Sequence, residues 1–319
     1  MRSLTTQAAA GGCVSLRLLP SLCFLLLLIS WPTNAATEAQ AGKDYFTKRA
    51  FPQAIAHLQI AINENPQDRE SAQLLGLSYY ATGRLREAIP LLEGIQATLP
   101  STEFDTRYLL GVCYVKTQQM EKARAAFAQM LSTPPDGATA HLLLAQMLVR
   151  QRLEDQAIPE LEKAAALDAR LPMVHFLRGE IHLAKSEPSR GLEEFQKELA
   201  LNPTSNVVYW RMGDALARLE RYADAEKALK QAIWLNETFT GPYIVLGQIG
   251  LKRGDLELAV GFLERATKMD SNNYQAHLLL GKAYQRMGRE DDAKRQFDMS
   301  RALLNDKQAE VESLFEMQR

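Results

Sequence analysis

The sequence predicts an all-α solenoid, a stack of about eight helix-turn-helix units, and three observations carry that prediction. A small residue returns at Gly42, Gly76, Gly111, Ala145, Gly179, Gly213, Gly247 and Gly281, in steps of 34 residues with a single step of 35. Twelve places beyond each stands a second small residue, at Ala54, Ala88, Ala123, Ala157, Gly191, Ala225, Ala259 and Ala293, and four further on a large apolar one, at Leu58, Leu92, Phe127, Leu161, Phe195, Leu229, Leu263 and Phe297. No stretch alternates polar and apolar residues as a half-buried strand would. A period of this length marks one supersecondary unit, which buries its apolar face only by stacking on copies of itself.

Within a unit, the first helix carries apolar and small residues such as Leu75, Gly76 and Tyr79, a turn often holds glycine (Gly83, Gly254, Gly288), and a second helix follows. Glycine costs up to ~1 kcal/mol inside a helix, so its return implies two helices crossing too closely for a larger side chain. The large residue four places beyond each second small residue then fills the space beside the crossing. Pro66, Pro100, Pro135 and Pro203 end second helices. Pro90 and Pro159 fall near the start of second helices, where the first amides need no partner.

Units begin near Ala35, Arg69, Phe104, Ala138, Pro172, Asn206, Thr240 and Tyr274, so the solenoid occupies residues 36–305 and leaves no room for a catalytic domain. The remaining residues 306–319 carry Val311, Leu314 and Phe315 at helical spacing, which predicts a C-terminal capping helix over the eighth unit.

With 46% hydrophobic and 24% charged residues in 319, the composition excludes a disordered chain and a polytopic membrane protein, and a net charge of −1 gives no footprint for nucleic acid. Residues 1–35 hold Arg2 and Arg17 and no acid, then an apolar run from Leu18 to Trp31 and the triplet Thr33-Asn34-Ala35. This pattern reads as a signal peptide cleaved after Ala35, so the chain is expected to be exported. The run is shorter than the ~20 apolar residues of a spanning helix; left uncleaved, it would tether the chain to a membrane, and membrane contact is expected only then.

Beyond the leader only Cys113 remains, with no organised histidine or aspartate partner, and it is expected to be a packed thiol. His141, His175 and His277 share one position of the repeat and are expected to pack there, His182 lies seven places beyond His175 without a metal-ligand signature, and His57 stands alone. No phosphate loop or nucleophile elbow appears, so no catalysis, metal or cofactor is expected. Asn236-Glu237-Thr238 matches a glycosylation sequon in an inter-unit turn.

The pattern resembles the tetratricopeptide repeat family, on Tyr209, Met212-Gly213, Tyr222, Ala225, Leu229 and Ala232 in one copy and on Leu280-Gly281, Tyr284, Gly288, Ala293 and Phe297 in another. Arg178, Glu198 and Ser300 depart from it, where apolar or small residues are usual. The resemblance implies a right-handed superhelix whose concave wall, built from first helices, commonly holds a peptide or helix of a partner.

On that wall one position reads Tyr108, Leu142, Phe176, Trp210, Ile244 and Leu278, an apolar ladder that suits partner contact or packing between units. Phe176 and Trp210 are its strongest anchor candidates. A second position reads Lys116, Arg150, Ala184, Arg218, Lys252 and Arg286. Its cations suit an acidic partner, or equally the negative end of a helix. The family's carboxylate-gripping positions hold Leu77, Val112 and Gln146 here, so that clamp is absent. The expected function is an exported, non-catalytic scaffold that binds a protein or peptide. The alternatives are a membrane-tethered assembly factor and an accessory subunit of a glycan or peptidoglycan enzyme, for which Glu180 and Asp214 are the groove carboxylates.

Overall fold

The computed structural model describes residues 34–96 and 104–316, and every regular element among them is an α-helix. The helices come in pairs: α1 (Asn34–Thr47) with α2 (Phe51–Glu64), α3 (Arg69–Ala81) with α4 (Leu85–Gln96), α5 (Phe104–Lys116) with α6 (Met120–Met130), and α7 (Ala138–Arg150) with α8 (Glu154–Leu167). The second half continues with α9 (Val174–Ala184) and α10 (Pro188–Leu201), α11 (Asn206–Arg218) and α12 (Tyr222–Leu235), α13 (Thr240–Arg253) and α14 (Leu256–Met269), and α15 (Tyr274–Arg286) and α16 (Glu290–Glu316). The unit boundaries follow the period, except that the fifth first helix begins at Val174 and not at Pro172. The expected signal peptide lies outside the described residues, apart from Asn34 and Ala35, which open α1.

The recurring glycine is required by a side chain more than by a backbone. A Cβ on Gly42 would sit 2.5 Å from Leu58 Cγ, one on Gly76 3.0 Å from Leu92 Cδ2, and one on Gly213 2.6 Å from Leu229 Cδ2. On Gly111, Gly179 and Gly281 it would run into the rings of Phe127, Phe195 and Phe297. The large residue of the second helix thus occupies the volume that the first helix leaves empty, and most of these large side chains are wholly buried.

A second period lies in the backbone. Arg49, Gly83, Gln118, Arg152, Ser186, Glu220, Gly254 and Gly288, each in the turn between the two helices of a unit, are left-handed with φ between 57° and 86°. Three units supply glycine there; the other five hold a side chain in a conformation that costs it roughly 1–2 kcal/mol.

Two expectations are corrected. Pro90 and Pro159 are the sixth residues of α4 and α8, past the first turn, so each removes a hydrogen bond that the helix would otherwise make. Both are exposed, and the carbonyls they free, on Arg86 and Asp155, belong to exposed residues and can be met by water. Nor does a separate capping helix begin at 306: α16 runs unbroken over Glu290–Glu316, because the stretch from Ser300 to Lys307 offers neither proline nor glycine to stop it.

Two of the three departures from the repeat pattern, Glu198 and Ser300, have local partners. The Glu198 side chain of α10 is 1% exposed, and its carboxylate accepts from the backbone amides of Met173 (2.7 Å) and Phe176 (3.2 Å). Those amides open α9, whose N-cap Met173 has no capping side chain of its own. At the equivalent position of the eighth unit, Ser300 Oγ donates to the Tyr274 carbonyl at 2.9 Å.

Successive first helices touch one another from α5 to α15, whereas each second helix meets mainly its own partner and the first helix of the next unit. First helices therefore line the inner wall.

Candidate interaction groove

The repeat stacks two polar ladders behind that wall. The first joins helices within a unit across 19 residues: His141 Nδ1 lies 2.6 Å from Glu160 Oε2, His175 Nδ1 2.7 Å from Glu194 Oε2, and His277 Nδ1 2.7 Å from Gln296 Oε1. His57 does not stand alone. It occupies the carboxylate's place in the first unit, 2.6 Å from Glu38, and stacks on Tyr45 at 5.1 Å between ring centroids. His141 and His175 are structural partners of the buried acids Glu160 and Glu194, and among the described residues no cluster suited to a metal occurs.

The second ladder joins consecutive units. Tyr79, Tyr114 and Tyr284 bond to Gln59, Glu93 and Glu264 on the preceding second helix. Burial, with Glu264 behind it, pushes the Tyr284 hydroxyl up to about 12. Cys113 is buried, and burial pushes its thiol up to about 11, as expected of a packed side chain.

Glu194 yields a pH expectation. Burial pushes its carboxyl up, but Lys197 and His175 outweigh burial and hold it below its ordinary value. A carboxyl depressed in the folded state adds stability that is present above its unfolded pKa and is lost as pH falls through the folded one. Urea melts across the acid limb should show wild type losing more stability below about pH 4.5 than Glu194→Gln, which has no such proton to take up.

The sequence-predicted ladder is drawn into packing. Phe176 is 9% exposed, with its ring 6.0 Å from Phe195, and Ile244 is equally buried. Trp210 lies edge-on to Phe239 at 5.1 Å, with Arg211 4.0 Å over its face, and a Cβ on Gly241 would fall 2.7 Å from it. Tyr108 donates to Met147 Sδ at 3.5 Å. Leu142 and Leu278 are half-buried. Tyr108 and Trp210 thus fill joints between units and Phe176 packs within its own, so Phe176 and Ile244, both 9% exposed, offer almost no surface to a partner.

The basic row divides. Arg150 donates to the Tyr108 hydroxyl at 3.4 Å, and Lys116 is exposed at the end of α5. Arg218 bonds the Leu183 carbonyl at 3.3 Å and Arg286 that of Leu251, each in the last turn of the preceding first helix, where carbonyls lack intrahelical partners. Arg218, Lys252 and Arg286 also share a groove of about 610 Å³. Its wall takes Asp214 and Ala217 from α11, Gln248 and Leu251 from α13, and Leu279 and Lys282 from α15, with Glu220 and Tyr222 also lining it.

Lys282 escaped the sequence reading. It stands one place after the core glycine, at a position that reads Glu180, Asp214, Gln248 and Lys282 in successive units. Following that position to the last unit would have revealed it. Glu180 and Asp214 are tied up with arginines: Arg211 Nη2 lies 2.7 Å from Glu180, and Arg218 Nη2 lies 3.0 Å from Asp214. Burial raises the Glu180 carboxyl above its ordinary value although Arg211 opposes it.

A stack of helix pairs with an inner wall of first helices defines an α-solenoid of tetratricopeptide repeats. Residues 108–172, 207–239 and 251–314 match tetratricopeptide repeat models, and residues 47–130 match the family described as anaphase-promoting complex, cyclosome, subunit 3. The chain carries tetratricopeptide repeats.

Among curated proteins it is similar to anaphase-promoting complex subunit 7 of Mus musculus, 25% identical over 47% of this chain and 26% of that one. It is also similar to the CTR9 homolog of Arabidopsis thaliana, 23% identical over 81% of this chain and 25% of that one. The chain thus spans about a quarter of the length of these relatives. The solved structure of the APC/C hetero-tetramer Cut9-Hcn1 superposes with a TM-score of 0.55 at 17% identity, covering 86% of this chain and 54% of that one, a likeness of fold.

Proposed function

We propose that the chain is a non-catalytic adaptor that holds a segment of a partner protein in the groove formed by α11, α13 and α15. The observation that carries this reading is that three successive first helices contribute to one open depression of about 610 Å³, with apolar floor residues and exposed charges on its wall. Relatives named as subunits of protein assemblies support it.

In this reading the chain is exported. The acid-free leader with its Leu18–Trp31 run supports export and, left uncleaved, would give a membrane-tethered assembly factor. The test is purification of the chain, tagged at its C-terminus, from its own organism. Its N-terminal mass should begin at Ala36, and its bound partner should be lost from Gln248→Trp, which fills the groove from a half-buried position, while the variant remains helical. A partner retained by Gln248→Trp would move the interaction to another face.

A further inference from the structure

Two positions of the repeat set the charge of the groove wall. One reads Glu180, Asp214, Gln248 and Lys282, and the other, four places on, reads Ala184, Arg218, Lys252 and Arg286. The wall therefore turns from acidic in the fifth unit to cationic in the eighth. The two acids are answered internally by Arg211 and Arg218. At the cationic end Lys252, Lys282 and Arg286 are exposed and none has a carboxylate partner among the described residues, although Arg286 donates to the Leu251 carbonyl. The opposing charges on the groove lining are Asp214, paired with Arg218, and Glu220.

The helix dipole accounts for Lys252 and Arg286, which stand in the last turns of α13 and α15, but not for Lys282, which stands before the last turn. Uncompensated like charges around one depression raise its potential and favour an anion there.

We propose that this end of the groove recognises an extended acidic segment of a partner protein, with two carboxylates about three residues apart. The proposal rests on the groove reading above and adds the chemistry of the occupant. α13 and α15 touch, and packed helices stand roughly 8–10 Å apart, so the helices that carry Lys252 and the Lys282/Arg286 pair lie about one such spacing from each other. In a polyproline-II-like segment, residues three apart lie on one side of the chain and about 9 Å from each other. An acid-x-x-acid segment therefore brings one carboxylate to each helix, and apolar residues between them meet Leu251 and Leu279, both half-buried on the lining. Arg218, Lys252, Lys282 and Arg286 gather in one groove on a chain of net charge −1, which favours a short acidic peptide over a polyanion needing a broad basic face.

The test is fluorescence polarisation with the full chain and labelled eight-residue peptides. One carries glutamates at positions three apart with leucines between them, a second has the glutamates replaced by glutamine, and a third by lysine. The glutamate peptide should bind at least tenfold tighter than the glutamine one. Lys252→Glu with Lys282→Glu should lose at least tenfold for it and gain affinity for the lysine peptide, with circular dichroism unchanged. Failure of the glutamate peptide to bind, equal binding of the glutamine peptide, or equal displacement by a short single-stranded DNA would overturn the proposal. If the native partner is lost from Gln248→Trp but kept by the double lysine variant, the groove stands and its acid preference falls. If both variants keep it, both readings fall.

Discussion

Gly179→Val is expected to destabilise the chain by about 3 kcal/mol, at the upper end of what forced overpacking costs. Phe195, wholly buried, already fills the space that a Cβ on Gly179 would enter, with Phe195 Cδ1 at 2.7 Å and Cζ at 2.8 Å. That ring is hemmed in, so it cannot swing away. The fourth unit supplies the compensating pair: Ala145 faces Leu161 at the same two positions, and both are fully buried. Gly179→Ala alone should therefore cost roughly 1–3 kcal/mol, and adding Phe195→Leu should recover part of that loss, a coupling that a double-mutant cycle in urea measures. Independent, additive losses would show that the ring is not what excludes the Cβ. Because a solenoid is held by nearest-neighbour interfaces, hydrogen exchange should show the damage greatest in α9 and α10 and fading toward both ends.

The fold was legible because its signals are local and repeated. A glycine facing a large residue sixteen places later needs no long-range information, and seven recurrences leave little room for another period. The left-handed turn residue was half legible: Gly83, Gly254 and Gly288 announce it, but Arg49, Gln118, Arg152, Ser186 and Glu220 do not, since register and not residue type imposes their conformation. Continuity of α16 past residue 306 was missed because counting whole units invites a boundary that the chain chemistry does not mark.

The groove was less legible. Periodicity finds which positions face inward but not which of them are spent on packing. Trp210 is consumed by the joint to the next unit and Phe176 by packing on Phe195 within its own, whereas Lys282 belongs to no uniform row and lies open in the groove. Departures from a repeat carry information of the same kind. His57 with Glu38 is the reverse of His141 with Glu160, a swap that conserves the hydrogen bond while disguising the pattern.

Glu198 is the departure with the largest expected consequence. Its carboxylate is buried and satisfies two amides at the start of α9, doing from the second helix what Asp68, Ser205 and Asn273 do from the residue before the helix in other units. Glu198→Ala removes both acceptors at once and leaves the amides of half-buried Met173 and buried Phe176 without a protein partner, so the expected loss is about 3 kcal/mol, from two unsatisfied donors together. Glu198→Gln keeps the shape and one carbonyl acceptor, but turns an amide group toward a backbone N–H, so about half that loss should remain. Glu198→Leu separates the explanations, because it supplies an apolar side chain of similar length while providing no acceptor. If apolar packing governs the site, leucine will be as stable as wild type; if the cap governs it, leucine will fall with alanine, and the amides of Met173 and Phe176 will exchange faster in both. The ordering wild type, glutamine, then leucine and alanine together is the expected result, read from urea midpoints with the slope held constant.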